Sequence, residues 1–186
     1  WYSGFNFDLS NVNETGATPF WRAAYASDVE TMRLLLAWGA KPKVPTQKTP
    51  RRRRSSDPEE DPSGLPPVPP GGPAVTPLQA ASGVGYGFGF AANSHQFHPG
   101  GMLRAVKFLI EEVGADVNER DHDGYTAMHH AAARGDNEMI EYLVSKGADA
   151  TFISRRGQST VDMANGPIQR VEPFPETMAL LESLGA

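Results

Sequence analysis

Cysteine is absent from the 186-residue chain, so neither a disulfide framework nor a thiolate metal site can organise it. Long apolar runs are lacking too. No stretch approaches the roughly 20 consecutive apolar residues that a bilayer span requires, so direct membrane insertion is not expected. No charged-then-apolar signal segment opens the sequence. Its first residue is Trp1 and not Met, so the sequence is expected to begin inside a longer precursor. Basic residues are in the minority, with 17 Lys and Arg against 22 Asp and Glu and a formal net charge of -5. A phosphate-binding surface needs the opposite balance, clustered on one face, so nucleic acid is not an expected partner. Motifs that carry catalysis are also missing: there is no His-Glu-x-x-His, no paired-carboxylate motif and no local Ser/His/Asp set, and no enzyme or cofactor is expected.

What the chain does have is enough apolar residues, 39% of the total, for a globular core, and a repeat. Gly16-Ala-Thr-Pro-Phe-Trp-Arg-Ala-Ala24 recurs as Val75-Thr-Pro-Leu-Gln-Ala-Ala81, as Gly124-Tyr-Thr-Ala-Met-His-His-Ala-Ala132 and as Gly157-Gln-Ser-Thr-Val-Asp-Met-Ala164. Leu35-Leu-Ala-Trp-Gly-Ala40 recurs as Ile110-Glu-Glu-Val-Gly-Ala115, Leu143-Val-Ser-Lys-Gly-Ala148 and Leu181-Glu-Ser-Leu-Gly-Ala186. Gly124 to Gly157 and Gly114 to Gly147 are both 33 residues. Thr18 to Thr76 and Thr76 to Thr126 are longer, at 58 and 50, so the second unit is flanked and interrupted by insertions.

Each unit reads as a pair of short helices. Thr18 and Thr76 precede prolines, an N-cap followed by the first helical position, where the missing N–H of proline costs nothing. The alanine pairs Ala23-Ala24, Ala80-Ala81 and Ala131-Ala132 let neighbouring helices approach closely. Ser27 and Glu30 stand at capping-box spacing before Val29, Met32, Leu35 and Leu36, which share one helical face. Gly39, Gly114, Gly147 and Gly185 fall where a helix C-terminus takes a left-handed residue.

Asp123-Gly-Tyr-Thr-Ala-Met-His-His-Ala-Ala-Ala-Arg-Gly135, followed by Tyr142-Leu-Val-Ser-Lys-Gly-Ala-Asp149, resembles one complete ankyrin repeat, with Ala127 where that family usually has proline. The resemblance extends over four repeats, about 14–43, 73–120, 121–153 and 154–186, and implies an all-α ankyrin-repeat solenoid in a single domain. It also implies that His129 makes a structural hydrogen bond within and between finger turns. Irregular repeats of this kind are similar to those of bacterial ankyrin proteins, several of them exported, which leans the expected location outside the cytoplasm while leaving it open.

Two insertions break the frame. Residues 44–72 carry Arg51, Arg52, Arg53 and Arg54, then Asp57-Pro-Glu-Glu-Asp-Pro62, then Pro66-Pro-Val-Pro-Pro-Gly-Gly-Pro73. That composition cannot pack a core and reads as a solvated arm, or as a stiff polyproline segment that docks an acidic partner through its arginines. Residues 83–101 separate the two helices of the second repeat, with one more extra residue near Val113. There, Tyr86, Phe88 and Phe90 alternate with glycine, giving either additional core or an exposed contact patch.

His95 and His98 are only half of a metal site, and no metal is expected. Arg134-Gly-Asp136 spells an integrin-type tripeptide but falls at the fixed glycine of the inter-helix turn. The family resemblance implies binding of another protein through finger loops and the first helix of each pair, which line a concave groove. Carried over by position, the contact residues are Tyr25, His122, Asp123, Tyr125, Arg134, Arg155, Arg156 and Gln158. Tyr and Arg are the types that dominate hot spots, which puts Tyr25, Tyr125, Arg134 and Arg156 first. The alternative is a small-molecule or metal-binding module built on the 83–101 insertion.

Overall fold

The computed structural model describes residue 12 and residues 14–50, 60–85, 100–166 and 172–186. Among them are eight helices, which pair as the repeat predicts: α1 (Pro19–Tyr25) with α2 (Val29–Ala37), α3 (Pro77–Ala81) with α4 (Gly101–Glu111), α5 (Ala127–Ala132) with α6 (Asn137–Ser145), and α7 (Thr160–Ala164) with α8 (Pro175–Ser183). The first helices form an inner row in which α1 packs on α3, α3 on α5 and α5 on α7; α2 packs on α4 in the outer row. No described helix is long and apolar enough to cross a membrane.

Local chemistry starts each inner helix. Thr18 Oγ1 accepts from Trp21 N at 3.1 Å, and Ser159 Oγ accepts from Asp162 N at 3.1 Å. Thr76 N donates to Gln79 Oε1 at 2.7 Å, and Thr126 N donates to His129 Nδ1 at 3.2 Å, so the third helical residue reaches back in both. Such a cap stabilises a helix by about 1 kcal/mol, which matters for helices this short. The same third residue also ties repeats together. Trp21 Nε1 donates to Val75 O at 2.9 Å and Gln79 Nε2 to Glu119 O at 2.9 Å, each reaching the loop of the following repeat.

The second helix of repeat 1 departs from expectation. Its N-cap is Asp28, whose Oδ1 accepts from Thr31 N at 2.9 Å; Ser27 lies one residue earlier in the left-handed region, at φ +57°. Gly135 holds the equivalent place in repeat 3, at φ +68°. The turn demands the left-handed conformation, so Ser27 spends itself on the turn and cannot cap. Gly39, Gly114, Gly147 and Gly185 do adopt positive φ, at 82°, 69°, 88° and 88°. The extra residue near Val113 is also visible. Ala40 N and Ala148 N donate five residues back, to Leu35 O and Leu143 O, whereas Ala115 N reaches six back, to Leu109 O at 2.9 Å.

The main core lies between the rows, where Met32, Leu109, Ile140, Leu143 and Leu181 are completely or almost completely buried. A smaller cluster gathers Val12, Ala74, Val75 and Val84 around Trp21 and Tyr25. The finger loops are stapled in register by single backbone bonds: Gln47 N to Thr15 O, His122 N to Ala74 O, and Arg155 N to Asp123 O. The last two donors are 33 residues apart, one period of the repeat.

Candidate functional site

In the structure α3 and α5 are buried along their entire length. The inner helices of the second and third repeats therefore present no exposed residue of their own. On the finger edge Arg156 and Gly157 are exposed, with His122, Asp123 and Gln158 half-buried beside them.

Several residues expected at an interface hold the fold instead. Tyr25 is 7% exposed and stacks on Trp21, with ring centroids 5.3 Å apart, because the second cluster closes over both. Tyr125 is 2% exposed. Its hydroxyl donates to Gln158 Oε1 and its ring meets His129 edge-on at 5.5 Å; burial pushes its pKa up to about 12. Arg134 sends Nη1 to Ser82 O of the preceding repeat and Nη2 to Asp136 Oδ2 at 2.6 Å. It thus closes the tripeptide on itself and seals the joint between repeats 2 and 3. Tyr125 and Arg134, expected as contact residues, are therefore joints of the fold.

Arg155 is occupied as well. Nε donates to His122 O at 2.9 Å, Nη1 to Asp61 Oδ2 and to Leu65 O at 3.1 Å, and Nη2 to Pro66 O at 2.6 Å. The described tip of the first insertion, although mostly exposed, is therefore tied to the third and fourth fingers. Lys48 holds its other end, with Nζ donating to Val68 O at 2.7 Å, and a turn closes where Gly72 N donates to Pro69 O at 2.9 Å with Gly71 at φ +80°. Partial burial pushes the Asp61 carboxyl up, but hydrogen bonds from Ser63 and the Arg155 guanidinium outweigh it and hold its pKa below the usual value. Arg51, Arg52, Arg53, Arg54, Tyr86, Phe88 and Phe90 lie outside the described residues, as does most of the segment on which a ligand-binding module would be built.

Beneath the fingers lies a buried polar cluster that the sequence did not single out. Asp121 Oδ1 accepts from Asp123 N and Tyr125 N, both at 2.9 Å, while Oδ2 is 3.8 Å from His130 Nε2. Burial, with Asp123 adding its charge, pushes Asp121 up to about 8; burial pushes His129 down to about 4 and His130 down to about 3. Two backbone donors on one carboxyl oxygen make this a turn-forming group, and Asp121 is 6% exposed. No group of three or more His, Asp or Glu among the described residues is arranged to hold a metal.

Residues 91–153 match the family model for ankyrin repeats (many copies). The chain is similar to the ankyrin repeat and SAM domain-containing protein 6 of Rattus norvegicus, 33% identical over 85 residues, which is 45% of this chain and 9% of that protein. It is 36% identical over 84 residues to the protein phosphatase 1 regulatory subunit 12A of Mus musculus, covering 45% of this chain and 8% of the relative. To the protein phosphatase 1 regulatory subunit 27 of Mus musculus it is 35% identical over 69 residues, 37% of this chain and 44% of the relative. The chain thus spans less than half the length of each of these relatives.

Proposed function

Because the chain is an ankyrin-repeat protein, we propose that it is a scaffold holding another protein at its finger edge, and that it carries out no chemistry itself. The observation that carries this reading is the contrast between the two central inner helices, α3 and α5, buried throughout, and finger residues that keep surface: Arg156 and Gly157 exposed, with His122, Asp123 and Gln158 partly so. Fingers stapled to one another present these groups at a fixed spacing. A preorganised surface loses little conformational entropy when it binds. Among the described residues no group of three or more His, Asp or Glu is arranged to hold a metal, and the Thr126 hydroxyl that meets His129 Nδ1 at 2.9 Å is buried in a helix cap. Two of the relatives are named as regulatory subunits, which supports a role in holding a partner rather than transforming a substrate.

Arg156 is the leading contact, since arginine is enriched where a few residues carry most of the binding energy. Capture of a protein from native extract by the intact chain and by an Asp123→Ala/Arg156→Ala variant tests the reading. We expect affinity for the captured protein to fall by about 2 kcal/mol or more with the melting temperature retained. Equal capture by both chains would move the binding surface off the fingers.

A further inference from the structure

We propose that the edge of the third and fourth fingers is a receptor for an acidic, proline-containing turn of peptide chain, and that residues 61–66 occupy it as an intramolecular stand-in which a partner of the same chemistry displaces. The proposal rests on the scaffold reading and gives its partner a chemical class.

Arg155 organises the receptor. Its Nε is committed to His122 O at 2.9 Å, inside the finger array, which fixes the plane of the guanidinium. The remaining N–H groups face outward and meet one carboxylate, Asp61, and two backbone carbonyls, Leu65 and Pro66. One acid and two carbonyls reach the same guanidinium because the chain turns between them, with Ser63 N donating to Asp61 Oδ1 at 2.9 Å and Gly64 at φ +67°. Pro62 lies over Gly157, where an added Cβ would approach Pro62 Cγ to 3.3 Å, so the missing side chain is what admits the proline ring. Arg120, held with Nη2 on Ile153 O and stacked 4.4 Å over the Phe152 ring, adds a second cation whose field reaches Asp61.

The occupant is held more loosely than the base of its own loop. At the base, Thr46, Ala74 and Val75 are buried and exchange the bonds Thr46 N to Val75 O at 2.9 Å and Ala74 N to Thr46 O at 2.8 Å. Further out, Asp61, Pro62, Pro66 and Pro67 are all exposed on their far side, and Leu65 and Val68 are only half-buried. The tip can therefore leave Arg155 while the base keeps the fold. Tethering gives the stand-in an effective concentration on the order of millimolar, so the intact chain masks the receptor against a free peptide of the same affinity.

A fluorescein-labelled peptide with the sequence of residues 60–68 tests this by anisotropy, titrated against the full chain, its Asp61→Ala variant and an Asp61→Ala/Arg155→Gln variant. Asp61 is exposed, so its replacement leaves the fold in place, and melting curves verify that for each chain. The Asp61→Ala chain is expected to bind the peptide at least about tenfold more tightly than the unsubstituted chain. Adding Arg155→Gln is expected to remove that binding, and Arg155→Lys, which keeps the charge but not the fork, to restore little of it. Equal binding by the first two chains, absence of binding by both, or insensitivity to Arg155→Gln would overturn the proposal. Those results would leave finger-dependent capture of a protein from extract untouched, so failure here is distinguishable from failure of the scaffold reading.

Discussion

Tyr125 donates its hydroxyl to Gln158 Oε1 at 2.5 Å, across 33 residues, so one bond links equivalent positions of consecutive fingers. The tyrosine is 2% exposed and its ring lies against His129, which makes it a structural joint. Tyr125→Phe should cost about 1 kcal/mol by losing the bond alone. Tyr125→Ala should cost about 3–5 kcal/mol through the cavity as well. Urea denaturation separates the two; equal and small effects would show that the ring is not packed as described.

Arg134 and Gly83 form a second joint. A Cβ on Gly83 would fall 2.0 Å from Arg134 Nη1, and its backbone is at φ +91°. Arg134→Ala should lower stability by about 2 kcal/mol, since it leaves Ser82 O and Asp136 without a charged donor. Gly83→Ala should cost a similar amount, about 1–3 kcal/mol, by backbone strain and displacement of the guanidinium. The two losses should be less than additive in the double variant, because each breaks the same contact.

The two buried imidazoles predict acid sensitivity. Both rings are neutral in the fold, with pKa values pushed by burial from 6.5 down to about 4 for His129 and about 3 for His130. Unfolding lets each take up a proton below 6.5, so their contribution is complete above that pH and is lost as pH falls toward 4. The two groups together contribute a slope of up to about 2.7 kcal/mol per pH unit, from which Asp121 takes about 1.4 over the same window. Asp121, raised to about 8, works in the opposite sense: its contribution is full below 3.8 and lost as pH rises through 8. Unfolding free energy measured from pH 4.5 to 8.5 checks both; a flat profile between 4.5 and 6.5 would contradict the burial of the histidines.

Trp21 and Trp38 should behave oppositely. Trp21 is fully buried and bonded to Val75 O, while Trp38, at the end of α2, is 84% exposed. Trp38→Ser should change stability by no more than about 0.5 kcal/mol and remove a quencher-accessible part of the fluorescence. Trp21→Phe should lose about 1 kcal/mol or more with the hydrogen bond. Acrylamide quenching of the two variants, each made in a Trp1→Phe background so that one tryptophan remains, reads the difference.

The repeat frame was legible because its signals are local: Thr-Pro starts, paired alanines, glycines at helix ends and the surplus residue at Val113 each act within one turn. The Asp28 cap was missed for a local reason too, since a serine stands at the left-handed position that glycine holds in repeat 3. The long connection from Ala164 to Pro175 in the last repeat also escaped notice, against Ala132 to Asn137 in the third. The site was harder to read. Position in the repeat identifies which residues face the groove in a regular array, but here α3 and α5 are covered, and Tyr25, Tyr125 and Arg134 are drawn into the joints. Nothing near Asp61 in sequence announces Arg155, 94 residues away. Composition alone therefore describes the arm as solvated.

Site-specific photo-crosslinking tests the central claim that the fingers carry the partner. p-Benzoylphenylalanine is introduced in place of Arg156 on the finger edge and, in a second chain, in place of Lys146 at the exposed end of the outer helix α6. A protein from native extract joined through position 156 and not through position 146 is the expected result. Crosslinking through position 146 with none through 156 would contradict it and place the interaction on the outer row of helices.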